Sequence, residues 1–347
     1  MTTYPEASQI QELIAAAQKI VIIQADNPDG DSLGSALALE HILGDLGKEP
    51  YLYCGAHIPV HLTYLPGWDR VEDMLPEAFD LSIIVDTSAG SLLENLRLSG
   101  QQGKLASKPC IIIDHHPVEP SIPFMTVRCN PSAVAAGEVV YELAKQLDWS
   151  INLEAKNMIA TAIMSDSLGL TTEATSARSI YIIGELVEGG VQLAQLEHDR
   201  RSMMRKSPEL VHYKGELLQR VEYHANNRIG LVWIPWREIE IYSPQYNPSM
   251  LVMEDMRMTT GAKVAVALKI YKDGKVTGKI RCNQGSPIAA DLAAHFGGGG
   301  HLYASGFKVQ DGRPFNEIKS ECLQYATTLL DNLEREQLHE TIQHTDA

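Results

Sequence analysis

Cysteine, basic charge and long apolar runs are all scarce in this sequence, and each shortage removes a class of protein. The five cysteines (Cys54, Cys110, Cys129, Cys282 and Cys322) are odd in number and no two form a C-x-x-C pair. That spacing argues against a disulfide scaffold or a zinc knuckle. No apolar run approaches the roughly 20 residues that a membrane-spanning helix needs. The opening MTTYPEASQIQELIAAAQK is patterned as an amphipathic helix, without the charged-then-apolar order of a signal peptide. Bases are outnumbered 29 to 44, a formal charge of −15. A field of that sign opposes loose binding of long nucleic acid through its phosphates. A small phosphorylated substrate stays open if a local cation meets it. The expectation is a reduced, soluble, cytoplasmic protein with neither a membrane nor long duplex nucleic acid as partner.

What is present is enough for two domains: 347 residues, 44% of them apolar. The first half alternates apolar runs, KIVIIQAD, LSIIVDTS and KPCIIIDHH, with helical patterns, which suits a parallel sheet covered on both faces. A helix is expected from Ser35 to Leu46, and later ones over AAGEVVYELAKQL, EAKNMIATAIMSD, ARSIYIIGELVEGG and VQLAQLEHDRR. Beyond a polar helical stretch the pattern changes. RIGLVWIP reads as a strand and KVAVALKIYKDGKVTGKIRCN as a hairpin about Lys-Asp-Gly-Lys. SPIAADLAAHF, GGGGH, YASGFKV and a closing amphipathic helix follow. The reading is an α/β protein: a domain over 1–195 with a mainly parallel sheet, a helical linker over 196–225, a smaller α/β domain over 226–333 and a polar tail over 334–347. There is no internal repeat.

The chemistry concentrates at strand ends. In IIQADNPDGDSLGSALALE three aspartates, Asp26, Asp29 and Asp31, fall within six positions. Turn and cap chemistry explains one or two of them, but three would repel one another unless a cation sits among them. Asp86 ends SIIVD, Asp114, His115 and His116 end CIIIDHH, and Asp166 follows NMIATAIM. Open α/β sheets hold their ligands outside the carboxyl ends of the strands. Four independent segments ending this way point to a metal site.

In order, NPDGDSLGSALAL, IIVDTS, IIIDHH, SDSLG and FGGGGH resemble the DHH phosphoesterases with a DHH-associated C-terminal domain. Length and layout are similar to the standalone oligoribonuclease and 3′,5′-bisphosphonucleoside phosphatase branch. The resemblance implies two Mn²⁺ ions, with Mg²⁺ an alternative, bridged by Asp86. Asp31, His115 and Asp166 would complete one site and Asp29 would serve the other. His116 would face the substrate phosphate, with Asp114 orienting its neighbouring histidine. The family's first motif begins with a histidine where this chain has Ala25. Asp26 is the candidate substitute ligand if the loop bends there, and water the alternative.

The stretch FGGGGH is no Walker loop, because no Gly-Lys-Ser/Thr follows. Its glycines let backbone N–H groups approach an anion closely. The resemblance assigns Gly298, Gly299, Gly300 and His301 to gripping the substrate's far phosphate, and Arg281 to holding phosphate or stacking on a base. Lys279 and Asn283 flank Arg281. The implied activity is hydrolysis of short oligoribonucleotides or dinucleotides to mononucleotides. The rivals are a bisphosphonucleoside phosphatase, a phosphodiesterase for cyclic or linear di-AMP, and a weakened nucleotide-binding protein in which Ala25 has cost the first metal its imidazole. A homodimer is compatible with all of these.

Overall fold

The apolar runs expected as strands become neighbours in one parallel sheet of the computed structural model, which describes residues 3–345 and side chains as far as residue 337. β1 (Lys19–Gln24), β2 (Glu49–Cys54), β3 (Leu81–Val85), β4 (Cys110–Ile113) and β5 (Val127–Cys129) lie in the order β2-β1-β3-β4-β5, and every pair is parallel. The two strands not foreseen, β2 and β5, are the edges. Their sequences are mixed because an edge strand is only partly buried; Pro50 sits in β2, where a missing donor is tolerated.

The chain divides into two units, Met1–Arg205 and Lys206–Ala347. The helices of the first are α1 (Ala7–Ala16), α2 (Gly30–Asp45), α3 (Glu94–Leu98), α4 (Gln102–Ala106), α5 (Ala136–Gln146), α6 (Leu153–Asp166), α7 (Ala177–Glu188) and α8 (Leu193–Met203). Its sheet is buried on both faces. Ile20, Ile22, Ile83, Val85, Ile111 and Ile113 pack with α2, α5 and α6. Val21, Ile23, Ile84 and Ile112 pack on the other side with Leu93, Leu96 and Leu105. Covering both faces explains why β1, β3 and β4 read as continuous apolar runs. Helix α2 is buried on nearly all sides, and glycines let the helices close up: a Cβ on Gly34 of α2 would lie 2.9 Å from the Met158 carbonyl oxygen of α6, and one on Gly137 of α5 2.5 Å from Ala162 Cβ of α6.

The stretch read as a helical linker is shared. Helix α8 belongs to the first unit and α9 (Pro208–Arg220), capped by Ser207 with Pro208 in its first turn, to the second. The second unit adds β6 (Glu222–His224), β7 (Ile229–Ile234), α10 (Trp236–Tyr242), α11 (Pro248–Arg257), β8 (Val264–Ile270), β9 (Val276–Cys282), α12 (Ala289–His295), β10 (Gly299–His301), β11 (Ala304–Val309) and α13 (Phe315–Thr345). Helix α13 continues through the stretch read as a polar tail. The six strands lie in the order β10-β11-β9-β8-β7-β6. β8 and β9 form the hairpin expected about Lys-Asp-Gly-Lys, with Gly274 at φ 80° in the turn. Among the described residues no helix is long and apolar enough to cross a membrane.

Candidate metal centre

The strand order 2-1-3-4-5 reverses direction between β1 and β3, and the crevice outside the strand ends at such a reversal is where open α/β sheets bind ligands. The acids gather there. Asp29 caps α2, accepting from the backbone N–H groups of Asp31 and Ser32 at 3.1 and 3.0 Å. The cap starts the helix at Gly30 rather than at the expected Ser35, so Asp31 lies in its first turn. Helix α5 has no local cap, because Ala135 carries no side-chain oxygen. Asp31 supplies it from 105 residues away: Oδ2 accepts from Ala136 N at 2.7 Å, and Oδ1 from Gly137 N at 3.0 Å. Ser35 Oγ donates to Oδ1 as well, at 2.9 Å.

Asp86 leaves β3 in the left-handed region, at φ 61°, a conformation that Asp tolerates better than most residues. At the end of β4, His115 Nδ1 lies 3.2 Å from the Ala133 carbonyl oxygen. Donation there leaves Nε2 with its lone pair free. Nε2 lies 3.3 Å from Asp86 Oδ1, 3.4 Å from Asp166 Oδ2 and 3.5 Å from Asp31 Oδ2. Two sets can therefore hold a metal ion: Asp31, His115 and Asp166; and Asp86, His115 and His116. Asp86 Oδ1 and His115 Nε2 are buried without a hydrogen-bond partner, as ligands awaiting a cation would be. Hard carboxylates with imidazole fit Mn²⁺ or Mg²⁺ better than a thiolate-seeking metal.

Next to this group Asp114 and His116 form a hydrogen-bonded pair. Asp114, fully buried, accepts from His116 Nδ1 at 2.9 Å and from Ser88 Oγ at 2.7 Å. It also accepts from the backbone N–H groups of His115 and His116. The histidine that Asp114 orients is thus His116, while His115 is fixed by Ala133. Burial opposes the Asp114 charge, but these hydrogen bonds hold its carboxyl down at about 2. The other acids go the opposite way. Burial pushes Asp86 up to about 7 against the pull of His115, and raises Asp29 and Asp31. Burial would lower His115, yet Asp166, Asp86 and Asp31 draw it up to about 11. Asp31, Asp86 and Asp166 are crowded and short of positive charge, whereas Asp114 has its hydrogen-bond donors at hand.

Asp26 stands apart from both sets. Its Oδ2 accepts from Asn95 N at 2.8 Å, and its Oδ1 packs so closely on Gly55 that a Cβ there would lie 2.4 Å away. The loop bends, but it turns this carboxylate toward Asn95 rather than into the position left by Ala25, which is buried. Ser88, the Ala133 carbonyl and the α5 amide groups were not singled out from the sequence. The missing cap at Ala135 was the available signal for the last of these.

In the second unit the Gly-rich stretch is an edge strand. Gly298 and Gly300 are sterically required: a Cβ at either would come within 2.3 Å of the Gly306 carbonyl oxygen or 2.6 Å of Ser305 Oγ. Gly299 faces open space. Register places Arg281 opposite Ala304 and Ala304 opposite His301, so Arg281 and His301 share one sheet face with a small residue between them.

The first unit is thus an α/β domain with a carboxylate-imidazole cluster at its topological switch point, two sets of which could hold a metal ion. Residues 19–166 match the model of the DHH family, N-terminal domain. The chain is similar to the bifunctional oligoribonuclease and PAP phosphatase NrnA of Thermus thermophilus, 28% identical over 301 residues that cover 86% of each chain. The protein of the same name from Bacillus subtilis is 22% identical over 306 residues, 87% of this chain and 93% of that one. In fold, an exopolyphosphatase-related protein from Bacteroides fragilis matches with a TM-score of 0.80 at 22% identity, covering 94% of this chain and 97% of that one.

Proposed function

We propose that the chain is a metal-dependent phosphodiesterase that cleaves short oligoribonucleotides or dinucleotides to mononucleotides. One observation carries the reading: a single imidazole nitrogen, His115 Nε2, lies within 3.5 Å of three carboxylates from three different segments. The names of the relatives from Thermus and Bacillus supply the substrate class. Asp31, His115 and Asp166 would hold one cation and Asp86, beside His115 and His116, would serve a second, with Asp29 the further carboxylate the family resemblance adds. Mn²⁺ is the ion we expect, with Mg²⁺ an alternative. Divalent cations held there supply Lewis-acid charge to a phosphoryl oxygen and lower the pKa of an attacking water.

The chain's own groups do the rest. Asp31 is held rigid by two helix N–H groups, so its free lone pairs point in a fixed direction. Asp114 sets the His116 ring, whose side chain is 46% exposed, so that it meets the substrate phosphate and hands a proton to the departing oxygen. In the second unit, Arg281, His301 and the open backbone at Gly299 are the groups suited to a phosphate of the substrate. A second reading, a 3′,5′-bisphosphonucleoside phosphatase, rests on the other half of those relatives' names and uses the same centre.

The test is turnover of a 5′-phosphorylated diribonucleotide and of a bisphosphonucleoside with Mn²⁺, in wild type, Asp86→Ala and Ala25→His. Wild-type turnover that Asp86→Ala abolishes is expected. Undiminished turnover in Asp86→Ala overturns the two-cation reading. A silent wild type rescued by Ala25→His makes the natural chain a binder. Calorimetric titration with Mn²⁺ reads the site without relying on activity.

A further inference from the structure

The turn that leaves α6 holds a leucine in a conformation and an exposure that packing does not explain. Three consecutive residues, Leu168, Gly169 and Leu170, lie in the left-handed region at φ 48°, 76° and 67°, which side chains as bulky as leucine rarely adopt. The buried Ser167 fixes them there. Its Oγ accepts from Leu170 N at 2.8 Å, and its carbonyl oxygen from Thr171 N at 2.8 Å and Thr172 N at 3.1 Å. Leu170 then packs against the core. Leu168 instead stays 73% exposed, so folding gains little from a leucine at this position. Strain of that kind gathers at functional sites.

Leu168 borders a cavity of about 530 Å³ in the first unit, a size within the roughly 300–1,000 Å³ of small-molecule sites. Tyr64, Met164, Leu193 and Leu196 supply apolar walls, each partly buried against the core. Two charged groups line it, Glu197 and Arg200, and they bind each other at 2.8 and 3.0 Å. Little net charge is therefore left to attract an anion. Tyr64 lies near enough to feel both charges. The cavity also borders the metal centre. Ser165 lines it and stands against Gly30, where a Cβ would lie 2.4 Å from the Ser165 Oγ. Gly30 separates Asp29 from Asp31, and Ser165 and Leu168 bracket Asp166. Apolar walls, a self-paired carboxylate and guanidinium, and a metal centre alongside suit a neutral planar base that is attached to a phosphate.

We propose that this cavity receives the base of the nucleotide whose 5′-phosphate sits at the metal centre, with Leu168 and Tyr64 against the base and the Glu197–Arg200 pair at its polar edge. The strained turn holds Leu168 in place before the base arrives. The pocket rests on the nucleotide reading above but is separable from it, because it is measured as binding and not as turnover.

The experiment is calorimetric titration of the full chain, with Mn²⁺ present, by adenosine 5′-monophosphate and by ribose 5-phosphate, which carries the same sugar and phosphate without the base. It compares wild type, Leu168→Asn and a control at another exposed leucine, Leu98→Asn in α3. Wild type is expected to bind the nucleotide about 10- to 100-fold more tightly than the sugar phosphate, the share typical of a base stacked on an aromatic side chain. Leu168→Asn is expected to cut that preference about tenfold through lost apolar contact, with Leu98→Asn leaving it unchanged. Asn enters the left-handed region more readily than leucine. The urea midpoint of Leu168→Asn is therefore expected at or above that of wild type, which separates lost binding from lost fold; a lower midpoint overturns the strain argument. No binding of the nucleotide, equal binding of the two ligands by wild type, or an undiminished preference in Leu168→Asn overturns the pocket. A base preference that Leu168→Asn lowers, in a chain that never cleaves the diribonucleotide with Mn²⁺, keeps the pocket and removes the phosphodiesterase reading. Cleavage by a wild type without base preference does the reverse.

Discussion

A methyl group on Gly30 would stand 2.4 Å from Ser165 Oγ, and each of these residues immediately precedes a candidate ligand, Asp31 and Asp166. The start of α2 and the end of α6 therefore touch at the point where the two carboxylates must converge on His115. Gly30→Ala is expected to destabilise the chain by about 1–3 kcal/mol through overpacking and to weaken Mn²⁺ binding in calorimetry. Adding Ser165→Gly returns the space and is expected to restore part of both. A Gly30→Ala chain that binds Mn²⁺ like wild type refutes this spacing role.

Asp31 has a structural task that Asp166 lacks. It caps α5 through Ala136 and Gly137, and its removal leaves two buried N–H groups unpaired, at about 1–3 kcal/mol each. Urea unfolding in EDTA is expected to show Asp31→Ala losing a few kcal/mol and Asp166→Ala much less. Equal losses remove the capping argument.

Asp114→Asn keeps the size of the side chain and an acceptor for Ser88 while removing the charge that sets His116. Residues of this kind typically contribute a factor of about 10–100 to activity, and a loss of kcat in that range is expected for the diribonucleotide with Mn²⁺. A loss under about tenfold, the lower end of that range, refutes the orienting role.

Arg281→Ala is expected to raise KM for the diribonucleotide with kcat nearly kept, because its grip is equally strong in the ground and transition states. A charged hydrogen bond contributes about 1.5–3 kcal/mol, so KM rises by about 10- to 100-fold. If kcat alone falls, Arg281 acts on the chemistry instead.

Much of the architecture was legible before any coordinates. β1, β3 and β4 were found from their runs because strands buried on both faces have no polar alternation to obscure them. The edge strands β2 and β5 were not found, since partial exposure mixes their sequences. The start of α2 was placed five residues late, because Asn-Pro-Asp-Gly reads equally as turn and as cap, and only the Asp29 side chain bonded to the Asp31 and Ser32 amides decides between them. In the second unit the glycines were read for what they let a ligand approach. Two of the four proved necessary for the packing of β10 on β11.

By itself the sequence determined which residue types are available and in what order. Strand runs end in acid or histidine, some helices begin at capping residues, and α5 begins with no cap of its own. These are local properties, written in hydrophobic period and side-chain chemistry. Only the tertiary structure decided which lone pairs meet. Whether His115 or His116 answers to Asp114, whether Asp26 turns inward or toward Asn95, and whether Arg281 shares a face with His301 depend on distances between segments far apart in the chain. Local pattern carries no such distances, because they arise only when the sheet order and the glycine-lined contacts of α2 bring the strand ends together.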